Sequence, residues 1–277
     1  MVAITDMNEV LAKLHQLPVI PVVVQEVINS FNDPDLDANV LGQKISQDQG
    51  LTAKILRVAN SSFYGLPRKI GSMHDAIVVM GFNNIRSLVL SAGFVKVFPV
   101  PGESCFDRHA YWLRSFRVAA YAKALAKCLK QDQDMAFTAG MFHDIGQLVL
   151  DTCMPEQFAS VLEQHKQSGK TLLEIEQGVF GFEHAMIGAE VVKRWNFPQV
   201  IEHTIRYWYI PDHEPFEPIT FIVHVAALIE SGLYGDALMN LLPESLRNRF
   251  KITWAKIESC LPDSDEIEDG ANLLLAA

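Results

Sequence analysis

The apolar residues of this chain recur mostly at the spacing of an α-helix. One face of the segment 51–60 is made of apolar residues: Leu51, Ile55, Leu56 and Ala59. Such a face predicts an amphipathic helix with one buried side. Residues 219–230 are apolar nearly all round, so we expect a fully buried helix there. No segment alternates between apolar and polar residues between turn signals. The pattern predicts an all-α fold.

Local signals place the helix ends. Pro21 and Pro198 favour helix starts, because proline is common at the first helical position. Asp48 is placed to cap the helix that follows it. The predicted helices are 22–31, 40–46, 51–60, 73–80, 83–97, 108–129, 135–150, 157–168, 183–195, 198–207 and 219–230.

The clearest internal break is Pro99-Val100-Pro101-Gly102, which is rich in residues that interrupt helices. We expect an N-terminal helical lobe over residues 1–98 and a second helical lobe over residues 99–262. The pattern does not decide whether these are packed lobes or independent domains. Residues 263–277 begin with an acidic run, and we expect a mobile acidic tail in which 273–275 is able to dock as a short turn.

Composition narrows the classes of partner. Hydrophobic residues make up 49% of the 277 residues, which is ample core material, and the formal net charge is −10. An acidic chain is repelled by phosphate backbones and anionic membranes, so we expect neither a nucleic acid nor a membrane as partner. The longest apolar stretch, 88–98, is short and is interrupted by Lys96. We therefore expect a cytoplasmic protein.

The cysteines show no pairing signal. They are widely spaced and include no Cys-x-x-Cys motif: Cys105, Cys128, Cys153 and Cys260. This spacing predicts reduced, mostly buried thiols rather than a disulfide framework or a zinc knuckle.

The strongest chemical signal is the adjacent pair His143-Asp144 within the apolar run 140–146. An imidazole nitrogen beside a carboxylate oxygen suits Zn, Fe or Mn. Two later histidines, His184 and His203, are further candidate ligands. Each has a structural alternative: His184 lies beside Glu183 at the start of a predicted helix, where a capping role fits, and His203 on an amphipathic helix suits a hydrogen-bonded core histidine.

Several motifs together resemble the HDOD domain, a bacterial relative of the HD and HD-GYP phosphohydrolases. The stretch 48–61, with the pattern Asp-x-x-Leu-Thr-x-x-Ile-Leu-x-x-x-Asn-Ser, is the most specific of them. The others are 17–21, 70–72, 76–81, 112–115 and 140–146. The resemblance covers residues 14–231. It implies an HD-like helical bundle over the second lobe, preceded by an N-terminal helical lobe.

In active HD phosphohydrolases the family pattern implies a first histidine, the His-Asp pair and a distal aspartate around one metal. Here the pair is His143-Asp144, but Arg114 stands at the first histidine position and Ala227 at the distal aspartate position. The resemblance assigns the two auxiliary positions of two-metal sites to His184 and His203. Two core ligands are therefore replaced.

These replacements argue against a tight metal site. The arginine guanidinium is a donor only and has no lone pair for a metal, and its charge repels a dication. We expect no resident cofactor, with a weakly bound Fe, Mn or Zn at the vestigial set His143, Asp144, His184 and His203 as the alternative. We also hypothesise that Arg114 takes the place of the metal and forms an ion pair with Asp144, neutralising a buried carboxylate.

The resemblance implies a regulatory module of bacterial signal transduction that binds a protein partner or a small phosphorylated ligand rather than catalysing a reaction. Two alternatives stay open. One is a metal-dependent phosphohydrolase or phosphodiesterase that uses the same four ligands. The other is a nucleotide or cyclic-dinucleotide receptor that binds without hydrolysis. The oligomeric state stays open as well.

Overall fold

A computed structural model describes residues 7–33, 37–98 and 105–276 of the chain. Within these ranges the regular elements are all helices, which confirms the predicted all-α class. In the same ranges no helix is both long enough and apolar enough to cross a bilayer. The predicted break at Pro99–Gly102 lies outside the described residues, so the lobe boundary there stays a prediction.

The first lobe consists of short helices. They are α1 (Met7–Lys13), a 3-10 turn (Leu14–Gln16), α2 (Val22–Asn29), α3 (Ala38–Gln47), α4 (Gln49–Ala59), α5 (Met73–Met80) and α6 (Phe82–Val97). Asp48 caps α4 as predicted, since its carboxylate accepts a hydrogen bond from the Leu51 backbone N–H at 3.0 Å.

The second lobe is built around the long helix α7 (Arg108–Cys128). It continues with α8 (Gln133–Phe142), α9 (Ile145–Cys153), α10 (Pro155–Ser168), α11 (Leu172–Phe180), α12 (His184–Arg194), α13 (Gln199–Tyr207) and α14 (Pro218–Glu230). The remaining helices are α15 (Gly235–Leu241), α16 (Glu244–Phe250), α17 (Trp254–Glu258) and α18 (Ser264–Leu275).

The prediction of a single helix over 135–150 is wrong, because α8 ends at Phe142 and α9 begins at Ile145. A Cβ on Gly140 would lie 2.9 Å from the Ala119 Cα, so this glycine lets α8 lie directly against α7. The break places His143 and Asp144 at a corner between two buried helices instead of on one continuous surface.

The larger of the two hydrophobic clusters in the described chain includes residues of both lobes, such as Val24 and Ile55 from the first and Phe116 and Phe142 from the second. A buried ion pair also joins them: the Arg86 Nε of α6 donates to the Asp134 carboxylate of α8 at 2.9 Å. The lobes therefore share one packed core.

The expectation of a mobile acidic tail is wrong, because residues 264–275 form α18. This helix packs against α4, α6 and α7 and buries Ile267, Ala271 and Leu274. The acidic residues have structural roles. Asp263 caps the helix, and Asp269 accepts hydrogen bonds from the Ser62 backbone N–H at 3.0 Å and hydroxyl at 2.9 Å.

The prediction of four reduced thiols is wrong for one pair. Cys128, at the end of α7, and Cys260, just after α17, are joined as a disulfide with their Cα atoms 6.2 Å apart. They are 132 residues apart in sequence, and the folding of the chain brings them together. Cys105 and Cys153 are free.

Candidate functional site

His143 and Asp144 form the corner between α8 and α9 and are almost completely buried. The His143 Nδ1 donates to the Gly140 carbonyl at 2.7 Å, which fixes the orientation of the ring. The His143 Nε2 lies 3.3 Å from the Asp144 Oδ2. The two side chains therefore face one another rather than solvent.

Asp144 also contacts two side chains from other helices. The Arg114 Nη1 of α7 lies 3.0 Å from the Asp144 Oδ2, and the His184 Nε2 at the start of α12 lies 3.0 Å from the Asp144 Oδ1. Both carboxylate oxygens therefore face cationic donors.

His184 is held on its other side by Glu176 of α11, which is 0% exposed. The Glu176 Oε2 accepts from the His184 Nδ1 at 2.7 Å and from the His184 backbone N–H at 2.8 Å. Glu176 therefore caps the start of α12, and Glu183, which precedes the helix, makes no side-chain cap. Each ring nitrogen of His184 meets a carboxylate.

The network continues toward the surface. The Arg114 Nε donates to the Glu230 Oε2 of α14 at 3.2 Å. Arg117 lies 3.5 Å from the Glu230 Oε1 and donates from its Nε to the Glu268 carboxylate of α18 at 2.6 Å. We call the whole series the charge chain, and its members alternate in sign: Glu176, His184, Asp144, Arg114, Glu230, Arg117 and Glu268.

The pKa values of Asp144 and His184 are shifted by their oppositely charged neighbours in this series. Burial alone would raise the pKa of Asp144, but His143, Arg114 and His184 outweigh it and hold that pKa well below its ordinary value. Burial alone would lower the pKa of His184, but Glu176 and Asp144 raise it to about 10. At neutral pH the centre of the site is a carboxylate between a guanidinium and an imidazolium.

Two glycines bring α9 and α12 close enough for these contacts. A Cβ on Gly146 would lie 2.6 Å from the His184 carbonyl carbon and overlap the oxygen bonded to it. Gly188, one turn further along α12, would place a Cβ 3.1 Å from the Gly146 backbone nitrogen. The crossing thus sets the first turn of α12, including His184, directly beside the Asp144 corner.

The predicted ligand His203 lies apart from the other three. Its Nδ1 is 3.2 Å from the Thr220 hydroxyl oxygen, and its ring packs against Tyr207 with centroids 4.9 Å apart. Burial lowers the pKa of His203. The structure therefore brings together His143, Asp144 and His184, while the described contacts of His203 join it to α14 rather than to Asp144.

The arrangement does not fit a metal ion. Both nitrogens of His184 are engaged with carboxylates, and the Arg114 guanidinium contacts the Oδ2, one of the two oxygens that Asp144 could offer a metal. Across residues 7–33, 37–98 and 105–276, no three His, Cys, Asp or Glu side chains are grouped to hold a metal. One feature suits ligation: the buried His143 Nε2 makes no well-aligned hydrogen bond, and its neighbour at 3.3 Å is the Asp144 Oδ2.

Sequence reasoning missed Glu176 and Glu230. Glu176 falls four residues after Leu172 and four before Phe180, so it lies on the apolar stripe of α11. A carboxylate at a core position needs a buried cation, and that was the available signal. Glu230 is the last residue of the apolar helix α14, where its burial could not be read from the pattern.

The pH dependence of the unfolding free energy should show that His184 is protonated in the folded protein. Its folded pKa is raised above the ordinary 6.5, so its contribution is complete below pH 6.5 and is lost as pH rises toward 10. The slope is at most about 1.4 kcal/mol per pH unit for one proton. We expect the difference in unfolding free energy between wild type and His184→Gln, from urea titrations at pH 6 to 10, to shrink with pH.

A difference measurement is needed because Lys123 acts in the opposite direction. Burial lowers its pKa to about 8, so its contribution makes the folded state more stable as pH rises. Lys123 is unchanged in the His184→Gln variant and cancels from the difference. A difference that stays constant between pH 6 and 10 would show that His184 is not held protonated in the folded protein.

Comparison with known proteins identifies the family of this chain. The profile of the HDOD domain matches residues 17–211. That range contains His143, Asp144, His184 and Arg114 but stops before Glu230.

Solved structures share the fold over nearly the whole chain. A protein named "Putative phosphohydrolase" from Shewanella amazonensis SB2B is 26% identical with a TM-score of 0.74, covering 97% of this chain and 98% of that one. An HDOD domain protein with unknown function from Geobacter sulfurreducens is 25% identical with a TM-score of 0.73, covering 96% and 92%. A protein named "Putative signal transduction protein" from Marinobacter aquaeolei VT8, at 21% identity, has a TM-score of 0.74, covering 100% of this chain and 68% of that one.

A curated relative from Treponema pallidum (strain Nichols), named as an uncharacterized protein, is 24% identical over 244 residues. The match covers 87% of this chain but only 47% of that relative. The chain thus spans about half the length of the relative.

Proposed function

Because this chain belongs to the HDOD family, we propose that it is a regulatory module of bacterial signal transduction that works by binding and not by catalysis. The observation that carries the proposal is the contact of the Arg114 Nη1 with the Asp144 Oδ2 at 3.0 Å. A fixed cation stands against the carboxylate that a hydrolase of this family would use for its metal. The partner is a signalling protein or a small phosphorylated ligand.

The protonation states support the same conclusion. A general base must be unprotonated at working pH, whereas His184, with a pKa of about 10, is an imidazolium. A general acid must carry a proton, whereas the pKa of Asp144 is well below its ordinary value. These states favour an electrostatic role for His184 and Asp144 over proton transfer between either side chain and a substrate.

A metal-dependent phosphohydrolase remains the second candidate. It is favoured by the name of the Shewanella protein, at 26% identity, and by the buried His143 Nε2, which lies beside the Asp144 carboxylate at 3.3 Å. In that case a metal would have to displace Arg114 from Asp144 and take one nitrogen of His184 from its carboxylate. Both displacements cost buried ion pairs.

Metal content and turnover test the proposal. We expect the chain, purified without added metal, to contain no stoichiometric Fe, Mn or Zn by elemental analysis. We also expect it to leave bis(4-nitrophenyl) phosphate uncleaved when Mn or Fe is added. One metal ion per chain together with turnover would overturn the proposal and establish the phosphohydrolase.

A gain-of-ligand variant sharpens this test. Arg114→His combined with Ala227→Asp restores the two core ligands that the family resemblance implies. Loss of one supporting residue typically costs about 10–100-fold in metal affinity, so restoring two ligands should tighten Mn binding by at least about 100-fold. Arg114→His alone is the matched control and should gain much less. Equal Mn affinity in wild type and the double variant would contradict the replacement of the metal by Arg114.

A further inference from the structure

A cavity of about 560 Å³ lies between α4, the end of α6, the start of α7 and the end of α18. No member of the charge chain lines it. Its volume falls within the range of small-molecule sites, about 300–1,000 Å³. The wall includes the apolar side chains Val95, Phe98, Trp112 and Leu275.

The polar side chains of the lining are all basic. They are Lys54, Arg57, Lys96, Arg108 and His109, and none of the lining residues in the described part of the chain is acidic. Such a concentration of positive charge is unexpected in a chain of net charge −10. Because opposite charges attract and like charges repel, it favours an anion at this position.

These cations differ in how far the protein neutralises them. Arg108 is paired with Asp151, with the Nε donating at 2.8 Å, and Lys96 lies 3.8 Å from the Asp48 carboxylate. Lys54 and Arg57, one turn apart on α4, have no acidic partner within ion-pair distance in the described part of the chain. In the described chain, the half-buried Lys54 and the exposed Arg57 thus have no protein carboxylate beside them at this cavity.

Lys54 responds to this crowding. Partial burial lowers its pKa, and the charges of Arg57 and Lys96 lower it further. A bound anion would oppose the lowering of the Lys54 pKa by Arg57 and Lys96. The positive charges around Lys54 therefore disfavour its charged form, and a ligand of negative charge would counter that effect.

We propose that this cavity binds a small organic phosphate, with the phosphate group against Lys54, Arg57 and Lys96 and an apolar or aromatic body against Val95 and Phe98. Guanidinium and ammonium groups together match the oxygens of a phosphate dianion. The apolar wall distinguishes an organic phosphate from the inorganic ion. This inference rests on the regulatory role proposed above and names the chemical class of the ligand. The ligand site is separate from Asp144.

Calorimetric titration of the full chain with 1-naphthyl phosphate and with adenosine 5′-monophosphate tests the proposal. We expect both to bind. Lys54→Gln combined with Arg57→Gln should weaken binding by at least about tenfold, because a hydrogen bond to a charged group is worth at least about that factor. Lys166→Gln combined with Lys170→Gln, two exposed lysines outside the cavity, is the matched control and should bind as wild type does.

Two further probes separate the parts of the ligand. Inorganic phosphate should bind at least about tenfold more weakly than 1-naphthyl phosphate if the apolar wall contributes. The carboxylate 1-naphthoate should also bind more weakly than the phosphate dianion. Equal affinity for inorganic phosphate would overturn the apolar subsite, and equal affinity for 1-naphthoate would overturn the assignment to phosphate.

The proposal is overturned if neither organic phosphate binds at millimolar concentration, or if the Lys54 and Arg57 double variant binds as tightly as wild type. Thermal unfolding of each variant checks that it is folded. Failure here leaves the metal content and phosphodiesterase tests unaffected, because those concern Arg114 and Asp144. Conversely, a metal-loaded, active protein would overturn the non-catalytic role without removing this cavity.

Discussion

Replacing Asp144 by alanine is expected to lower the free energy of unfolding by about 3–5 kcal/mol, the usual cost of removing one partner from a buried ion pair. Asp144 is 1% exposed, and its carboxylate separates the cations of Arg114 and His184. Without it, the buried His184 and the partly exposed Arg114 face one another as two positive groups. Urea denaturation at pH 7 measures the loss.

The exposed residue Glu258 provides a matched control, and Glu258→Ala should change stability by no more than about 0.5 kcal/mol. Arg114→Ala should cost less than Asp144→Ala, about 1–2 kcal/mol, because 39% of the Arg114 side chain is exposed and water replaces part of the interaction. A neutral or stabilising Asp144→Ala would contradict the charge chain and would suit a metal ligand that is unpaired without its ion.

Gly146→Ala is expected to destabilise the protein by at least about 3 kcal/mol, the upper end of the usual cost of overpacking. The added Cβ would overlap the His184 carbonyl oxygen and lie 2.6 Å from its carbon. Because this obstacle is backbone, no side-chain rotation removes it, and α9 and α12 must separate. Thermal and urea unfolding measure the effect, and reduced recovery of soluble protein is the accompanying sign.

Gly178→Ala is the matched control. Gly178 lies inside α11, is exposed, and has no atom within 4 Å of an added Cβ. Alanine favours a helix interior over glycine by about 1 kcal/mol, so this variant should be equal to wild type or more stable. If Gly146→Ala and Gly178→Ala were equally stable, the close crossing of α9 and α12 would be refuted.

Most helices could be predicted from the sequence, because apolar periodicity and capping residues are local properties. The helices 73–80, 108–129 and 219–230 agree with the structure to within one or two residues. The break at His143-Asp144 could not be predicted in this way. The apolar periodicity continues through this break. The chain turns there because α8 and α9 pack against different helices: Gly140 of α8 lies against α7, and Gly146 of α9 lies against α12.

The last helix illustrates a second limit. An acidic run was interpreted as solvated, but in α18 the charged residues occupy one side and Ile267, Ala271 and Leu274 occupy the other. The spacing of these three was visible in the sequence. Their partners on α4 and α7 come from distant parts of the chain, so only the folded structure shows that the helix is docked.

The residues of the candidate site were also only partly predictable from the sequence. The family resemblance drew attention to Arg114, Asp144 and His184, which the structure brings together. It also assigned His203, whose described contacts lie elsewhere. Glu176 came only from the structure, since no sequence motif links it to a histidine eight residues later.

The position of α18 has a practical consequence for expression. The family profile ends at residue 211, yet α14 and α18 both cover α7, and Glu230 and Glu268 anchor the arginines that α7 presents. A gene trimmed to the profile would strip these layers from the central helix and expose apolar surface to water. Truncations designed for crystallography or for domain fusion should therefore retain the sequence through Leu275.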